Sequence, residues 1–223
     1  ILGAVGDSMS GTPGISAKFF GALGNAGINI HAIAQGSSER NISAVIKSEV
    51  ATKALRAVHS GFYLSNQTLS IGVIGPGLIG STFLDQVAGE AEHLKKNFGV
   101  DLRLRGISRS QKMVLSENNM DMSNWRTLLD NSNVSTSIEE FASHINSESI
   151  PHRVIVDCTS SEGVPANYLD WIKKGIHIIT PNKKAGTLPI PQYRELMNEA
   201  RKRGVHFLYE TTVGAGLPVI GTL

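Results

Sequence analysis

Apolar residues follow two rhythms along this chain, and the rhythm changes at the short polar break Ser65-Asn66-Gln67-Thr68. Before the break, Ile1-Leu2-Gly3-Ala4-Val5 reads as a short strand. Gly11-Thr12-Pro13-Gly14 reads as a turn, with Pro13 suited to a helix start. Ile15, Phe19, Leu23 and Ala26 recur at helical spacing, and Gly27 ends that helix. Ile28 to Ile33 alternates as a half-buried strand; Asn41 to Ile46 is its hairpin partner across Gly36 to Arg40. Val50 to Val58 predicts a second helix and Gly61 to Leu64 a last strand. The resulting order is βαββαβ, a recurring supersecondary arrangement.

After the break, Leu69 to Ile74 is a nearly continuous apolar run, as expected of a parallel strand buried on both faces. A glycine cluster and a long helix from about Leu78 to Lys96 follow, then a strand from Leu102 to Ser108. Residues 109–150 are polar and weakly patterned, with helices marked by Trp125, Leu128 and Leu129 and by Ile138 to Ile145. Strands at Val154 to Val156, Ile176 to Thr180 and Val205 to Tyr209 alternate with helices at Tyr168 to Lys174 and Gln192 to Arg203, closed by Gly175 and Gly204. Strands alternating with helices predict an α/β, Rossmann-type doubly wound sheet. The expected domains are therefore 1–65, small and βαββαβ, and 69–223, doubly wound.

Composition narrows the partners. A formal net charge of +2 with no basic run argues against nucleic acid. No apolar stretch approaches the roughly 18 residues of a membrane span. The single cysteine, Cys158, excludes an internal disulfide and a cysteine-rich metal site. The chain opens at Ile1, without Met and within a predicted strand, so it reads as a fragment in which any targeting segment is out of view.

Gly75-Pro76-Gly77-Leu78-Ile79-Gly80 matches G-x-G-x-x-G between a predicted strand and a predicted helix, the context that gives the motif meaning. Gly75 permits the tight turn, Gly77 lets the backbone approach a pyrophosphate, and Gly80 allows close helix–strand packing. The pyrophosphate sits on the helix N-terminus, where N–H groups and the dipole favour an anion. NAD-specific folds usually place an acid after the second strand. Here that strand runs out as Ser108-Arg109-Ser110-Gln111-Lys112, with no acid and with Arg109 and Lys112 available for a 2′-phosphate. This favours NADP over NAD; the alternative is a pair of solvated surface cations.

Three later motifs, Val156-Asp157-Cys158-Thr159-Ser160, Thr180-Pro181-Asn182-Lys183-Lys184-Ala185 and Glu210-Thr211-Thr212-Val213-Gly214-Ala215-Gly216-Leu217-Pro218, join the glycine loop in resembling homoserine dehydrogenase. The preceding segment resembles an ACT domain. Within it, Ile33-Ala34-Gln35-Gly36-Ser37-Ser38-Glu39-Arg40 looks like the last ACT repeat of the bifunctional aspartokinase–homoserine dehydrogenases. The resemblance covers essentially the whole chain, in the family's order.

The resemblance implies roles residue by residue. Leu78, Ile79, Thr159 and Ser160 join the glycines in holding the cofactor, Thr159 at its nicotinamide end. Lys183 contacts the cofactor and is the candidate proton donor; a lysine desolvated beside a cofactor can titrate low enough for such work. Read alone, it could equally be a surface lysine capping a loop, and Lys184 is the weaker candidate. Glu210, Val213, Ala215 and Leu217 wrap a monovalent cation, sodium in the family, largely through backbone carbonyls, the hard oxygens that such an ion prefers. Gln35 helps bind the feedback effector threonine, its amide able to serve both carboxylate and ammonium. The implied reaction reduces L-aspartate 4-semialdehyde to L-homoserine with NADPH in a cytoplasmic or plastid-stromal homo-oligomer, with aspartate kinase activity in the full-length parent. In the family, the substrate-binding acids and a second catalytic lysine follow the cation loop, so this piece alone is expected to bind cofactor weakly and turn over little. Two rivals remain: a non-catalytic amino-acid sensor with a nucleotide-binding relay, and a thioester-forming aldehyde dehydrogenase using Cys158. Cys158 ends an apolar strand, where cysteine usually acts as a small hydrophobe.

Overall fold

A computed structural model describes residues 1–223 except 64–66, 148, 215–216, 218 and 223, and except the side chains of Ser8, Ser60 and Tyr63. Backbone contacts divide the chain into two compact units, residues 1–66 with 148–150 and residues 67–147 with 151–223. No helix among the described residues is long and apolar enough to cross a membrane.

The first unit runs β1 (Leu2–Val5), α1 (Ile15–Asn25), β2 (Ala32–Gln35), β3 (Asn41–Val45) and α2 (Ala51–Tyr63). Its three strands form an antiparallel sheet in the order β1-β3-β2. Phe19 and Leu23 of α1, Ala54 and Val58 of α2 and Ile42 and Ala44 of β3 share one buried cluster. Helix α1 stops as predicted: Gly27 takes φ +66° and donates to the Gly24 carbonyl, while Ile28 donates to Leu23 at 2.9 Å. That pair of bonds is a Schellman ending. It also corrects the second strand. Ile28 is spent closing the helix, and strand pairing begins only where Ala32 meets Val45. A second correction concerns Gly61 to Tyr63, expected as strand and found as the last turn of α2, with Leu64 outside the described residues. Phe62 extends the Ala54–Val58 stripe by one helical step and packs on the same cluster. A Cβ on Gly61 would lie 2.9 Å from the Ala22 Cβ of α1, so this glycine serves helix–helix approach.

The second unit runs β4 (Thr68–Ile74), α3 (Leu78–Phe98), β5 (Asp101–Ser108), β6 (Lys112–Leu115), α4 (Trp125–Asp130), β7 (Val134–Ser135), α5 (Ile138–Ile145), β8 (His152–Asp157), α6 (Tyr168–Lys173), β9 (His177–Ile179), α7 (Ile190–Arg203) and β10 (Phe207–Leu208). The sheet order is β10-β9-β8-β4-β5-β6-β7. The five strands from β10 to β5 are parallel; β6 and β7, unanticipated in the polar 109–150 stretch, extend the sheet antiparallel. One face buries Ile71, Val73, Val154 and Val156 under α3 and α4; the other buries Ile74 and Ile155 under α5, α6 and α7.

Two local devices set the sheet beneath the site. Gly72 and Gly106 face each other across β4 and β5. A Cβ on either would fall within 2.8 Å of the Phe141 ring, so the pair forms a groove for Phe141 and Ile145 of α5. Full burial of each side chain contributes about 1.5–3 kcal/mol. Second, Ile71 pairs with Leu104 but Gly72 pairs with Gly106, leaving Arg105 as a bulge. The bulge sends the Arg105 guanidinium to the His144 carbonyl at 3.1 Å, at the C-terminus of α5, where a cation is favoured. Burial lowers the pKa of Arg105 from the ordinary arginine range.

Candidate active site

Strand order reverses between β4 and β8, and the crevice outside their carboxyl ends is where an α/β sheet binds its ligand. Four segments converge there: the turn after β4, the end of β5, and the loops after β8 and β9. Gly75 turns at φ +81°. A Cβ on it would meet Thr159 Cγ2 at 2.7 Å, and one on Gly80 would run into the Gly75 carbonyl. Around Gly77 a Cβ would meet nothing within 4 Å. Gly75 and Gly80 are thus required by packing, whereas Gly77 faces open space. No side chain caps α3 at Gly77, which leaves its first-turn N–H groups facing that space. The cradle fits a dinucleotide pyrophosphate.

The space is a cavity of about 900 Å³ lined by Gly75, Pro76, Gly77, Arg109, Thr159 and Ser160, among others. A second depression, about 450 Å³, is lined by Leu78, Ile79, Cys158, Thr159, Ser160 and Lys183. The structure therefore gathers eight of the nine sequence-predicted cofactor positions around two hollows that share Thr159 and Ser160; Gly80 is buried against the Gly75 turn and lines neither. Leu78 and Ile79 are conspicuously exposed at 87% and 57%.

The cations at the β5 end separate. Arg109 lines the larger cavity, where its Nη2 meets Asp130 Oδ1 at 2.7 Å. Lys112 is turned to the end of α4, donating to the Asp130 carbonyl at 2.5 Å, and does not line the cavity. The lysines after β9 separate as well. Lys184 donates to Glu162 Oε1 at 2.6 Å, while Lys183 has no ion-pair partner among the described residues. Lys183 is exposed, so within this chain it lacks the desolvation expected of it. Cys158 is a poor nucleophile: burial, and then the neighbouring Asp157 carboxylate, push its thiol up to about 11.

Sequence reasoning missed the polar core under these loops. Asp157, fully buried at the end of β8, accepts the Thr159 N–H at 2.8 Å, the Tyr168 O–H at 2.6 Å and the Asn182 amide at 3.0 Å. Thr180 Oγ1 donates to the Asp157 carbonyl and accepts the Asn182 N–H, both at 2.8 Å. Burial first, then Asp157, push the Tyr168 hydroxyl well above its ordinary range. The available signal was an acid inside the apolar run Val154 to Cys158. Asp130, six residues into α4, gave no signal at all.

Past β10, Glu210 accepts the Ile220 N–H at 2.7 Å, and Gly214 turns at φ +74°. Val213 and Leu217 are exposed, the Leu217 carbonyl accepts the Val219 N–H at 2.8 Å, and Ala215 lies outside the described residues. No cluster of three or more acidic, histidine or cysteine side chains suited to a metal occurs among the described residues. In the first unit, Gln35 lines a depression of about 410 Å³ with Gly11 to Ala17 and Glu39.

Comparison with known proteins matches residues 2–62 to the ACT domain and residues 75–210 to the homoserine dehydrogenase NAD-binding domain. The whole chain is 50% identical to the chloroplastic bifunctional aspartokinase/homoserine dehydrogenase 2 of Arabidopsis thaliana, spanning 24% of that protein. It is 40% identical to the bifunctional aspartokinase/homoserine dehydrogenase of Haemophilus influenzae, spanning 27% of it. The chain thus covers about a quarter of the length of these curated relatives. Among solved structures, a hyperthermophilic archaeal homoserine dehydrogenase in complex with NADPH aligns over 70% of this chain and 47% of that one, with 25% identity and a TM-score of 0.53.

Proposed function

The chain belongs to the homoserine dehydrogenase NAD-binding family, joined here to an ACT domain, and from that premise we propose that its full-length parent reduces L-aspartate 4-semialdehyde reversibly to L-homoserine with NADPH. The observation that carries this reading is the shared wall. Thr159 and Ser160 line both the glycine-loop cavity and the hollow that holds Lys183, so a dinucleotide with its pyrophosphate on the glycine loop would extend its reactive end toward Lys183, which has no ion-pair partner among the described residues. NADPH, when bound, supplies the hydride. The chain's own groups do the rest: the glycine loop and α3 N-terminus bind the pyrophosphate, Thr159 orients the nicotinamide end, and Lys183 delivers a proton to the developing alkoxide. Burial of Lys183 by cofactor and substrate supplies the desolvation that this chain alone lacks.

The remaining assignments rest on the same family. The parent also phosphorylates L-aspartate. Threonine is the effector, held in part by Gln35. The carbonyls of Val213, Ala215 and Leu217 with Glu210 hold a sodium ion, a donor set that suits a small hard cation. Parents assemble as homo-oligomers, a reading supported by β2, whose four residues including Ile33 are all exposed. The higher identity to plant relatives named as chloroplastic supports the plastid stroma over bacterial cytoplasm.

The test measures semialdehyde-dependent NADPH oxidation by the parent and by its Lys183→Ala variant. Loss of a general acid lowers kcat by about a hundredfold or more, with the KM for NADPH changed far less. An inactive, folded parent sinks the reading; an unimpaired variant removes Lys183 from it.

A further inference from the structure

We propose that Asp157 and Asn182 are a positioning pair that holds the Thr159 loop and the Lys183 loop at one fixed separation; its catalytic consequence rests on the function proposed above. Asp157 ends β8 with no exposure and no cationic partner among the described residues. An uncompensated buried carboxylate is costly, and an apolar residue would end the strand without that penalty. What stabilises it is a set of three neutral donors: the Thr159 N–H on Oδ1, and the Tyr168 O–H and Asn182 amide on Oδ2. Hydrogen bonds to an ionised acceptor are shorter and stronger than neutral ones, so this carboxylate fixes its donors firmly.

Asn182 carries the constraint across to the next loop. Its Nδ2 lies 3.0 Å from Asp157 Oδ2, 3.3 Å from Thr159 Oγ1 and 2.9 Å from the Ser161 carbonyl. Its Oδ1 accepts the Lys184 N–H at 3.1 Å, capping the helical turn that begins at Lys183. Rotating the amide would set oxygen against carboxylate, so only this orientation satisfies every partner. Thr159 is therefore gripped at its N–H by one member and at its hydroxyl by the other, and Lys183 sits between Asn182 and the N–H that Asn182 caps. Asp157 lines neither hollow, and Asn182 lines only the smaller one, buried beside Lys183, so the pair acts mainly by holding Thr159 and Lys183 in place.

A merely structural role would cost stability alone. The test uses the full-length parent with Asp157→Asn, Asn182→Ala and, as a stability control remote from both loops, Ile145→Ala. Calorimetry gives the Kd for NADPH, the emission of bound nicotinamide reports how firmly its ring is held, and kcat and melting temperature are measured beside them. The expected result is a Kd within about threefold of the parent, because the glycine loop is untouched. Most of the emission enhancement is lost, and kcat falls about 10- to 100-fold, as for a displaced reacting group. Ile145→Ala loses stability and keeps both signals. Folded variants with parental emission and kcat overturn the proposal, as do losses that Ile145→Ala reproduces. If Asp157→Asn does not fold, Asn182→Ala carries the same decision. A parent that binds NADPH without reducing the semialdehyde sinks the function reading, while the emission comparison still decides the positioning pair.

Discussion

The pair formed by Arg109 and Asp130 predicts how this chain weighs NADPH against NADH. The two groups meet at 2.7 Å on the rim of the larger cavity, with side chains 41% and 64% exposed. Coulomb attraction at that distance is about 1.5 kcal/mol in water. Exposed pairs deliver less, about 0.2–1 kcal/mol after side-chain entropy and screening. Asp130 therefore restrains Arg109 only weakly, by up to about fivefold in affinity for a competing anion. A 2′-phosphate offers more, since hydrogen bonds to charged groups contribute about 1.5–3 kcal/mol. Arg109→Ala should then weaken NADPH binding about 10- to 150-fold and leave NADH within about threefold. Asp130→Asn should tighten NADPH by up to about fivefold and leave NADH unimproved. Fluorescence titration of both cofactors at low and high salt decides the matter, because the Arg109 contribution must shrink with screening. An Arg109→Ala variant that loses both cofactors equally refutes the argument, and so does an unchanged cofactor ratio in Asp130→Asn.

Three further outcomes follow from features away from that rim. Gly72→Ala places a methyl 2.6 Å from Ile145 Cγ1, an overpacking that costs about 1–3 kcal/mol or more, read as a lower melting temperature of the second unit; an unchanged melt would contradict the groove. His177 stacks on His206, accepts its N–H at 2.9 Å and lies near His152 and Arg153. Burial first, then the neighbouring His206, His152 and Arg153, hold its pKa below the usual histidine value. The unfolded chain takes up a proton as pH falls through about 6.5 and the folded chain only at lower pH, so stability drops with acid between those two points. Denaturant unfolding at pH 7.5, 6.5 and 5.5 should show a slope that His177→Gln flattens; an equal slope would rule His177 out. In the parent, Gln35→Ala should raise the threonine concentration for half-inhibition about tenfold, the loss of a hydrogen bond to a charged group; unchanged inhibition would remove Gln35 from the effector site.

What was legible in the residues was local. Gly75 to Gly80 reads as a phosphate cradle because the turn, the close approach and the helix start all fall within six residues. Gly27, Gly175 and Gly204 mark helix ends for the same reason: each takes positive φ next to the helix it closes. The misses share the opposite property. β7 is two residues long and exists only as an edge partner of β6, so its own sequence carries no period. Gly61 looks like a break until α1 is seen beside it. Two of the three partners of the Asp157 carboxylate lie 11 and 25 residues away, and no spacing rule joins them to it. Asp130 becomes relevant only because the α4 terminus folds back to the end of β5.

The bulge at Arg105 has a consequence for counting. β5 carries one residue more than the stretch of β4 that it pairs with, so the two strands leave the sheet out of phase by one position. Side chains alternate faces along a strand, and a one-residue step inverts them all. An ungapped overlay of this strand on an unbulged relative would hand the rim position to Ser108 or Ser110. Deleting Arg105 would do the same physically: Arg109 would retreat by about 3.3 Å and turn to the opposite face of the sheet. The stretch between the glycine loop and Arg109 includes this extra position, so the face of the sheet that Arg109 serves depends on the parity of β5 as much as on the residue at its end.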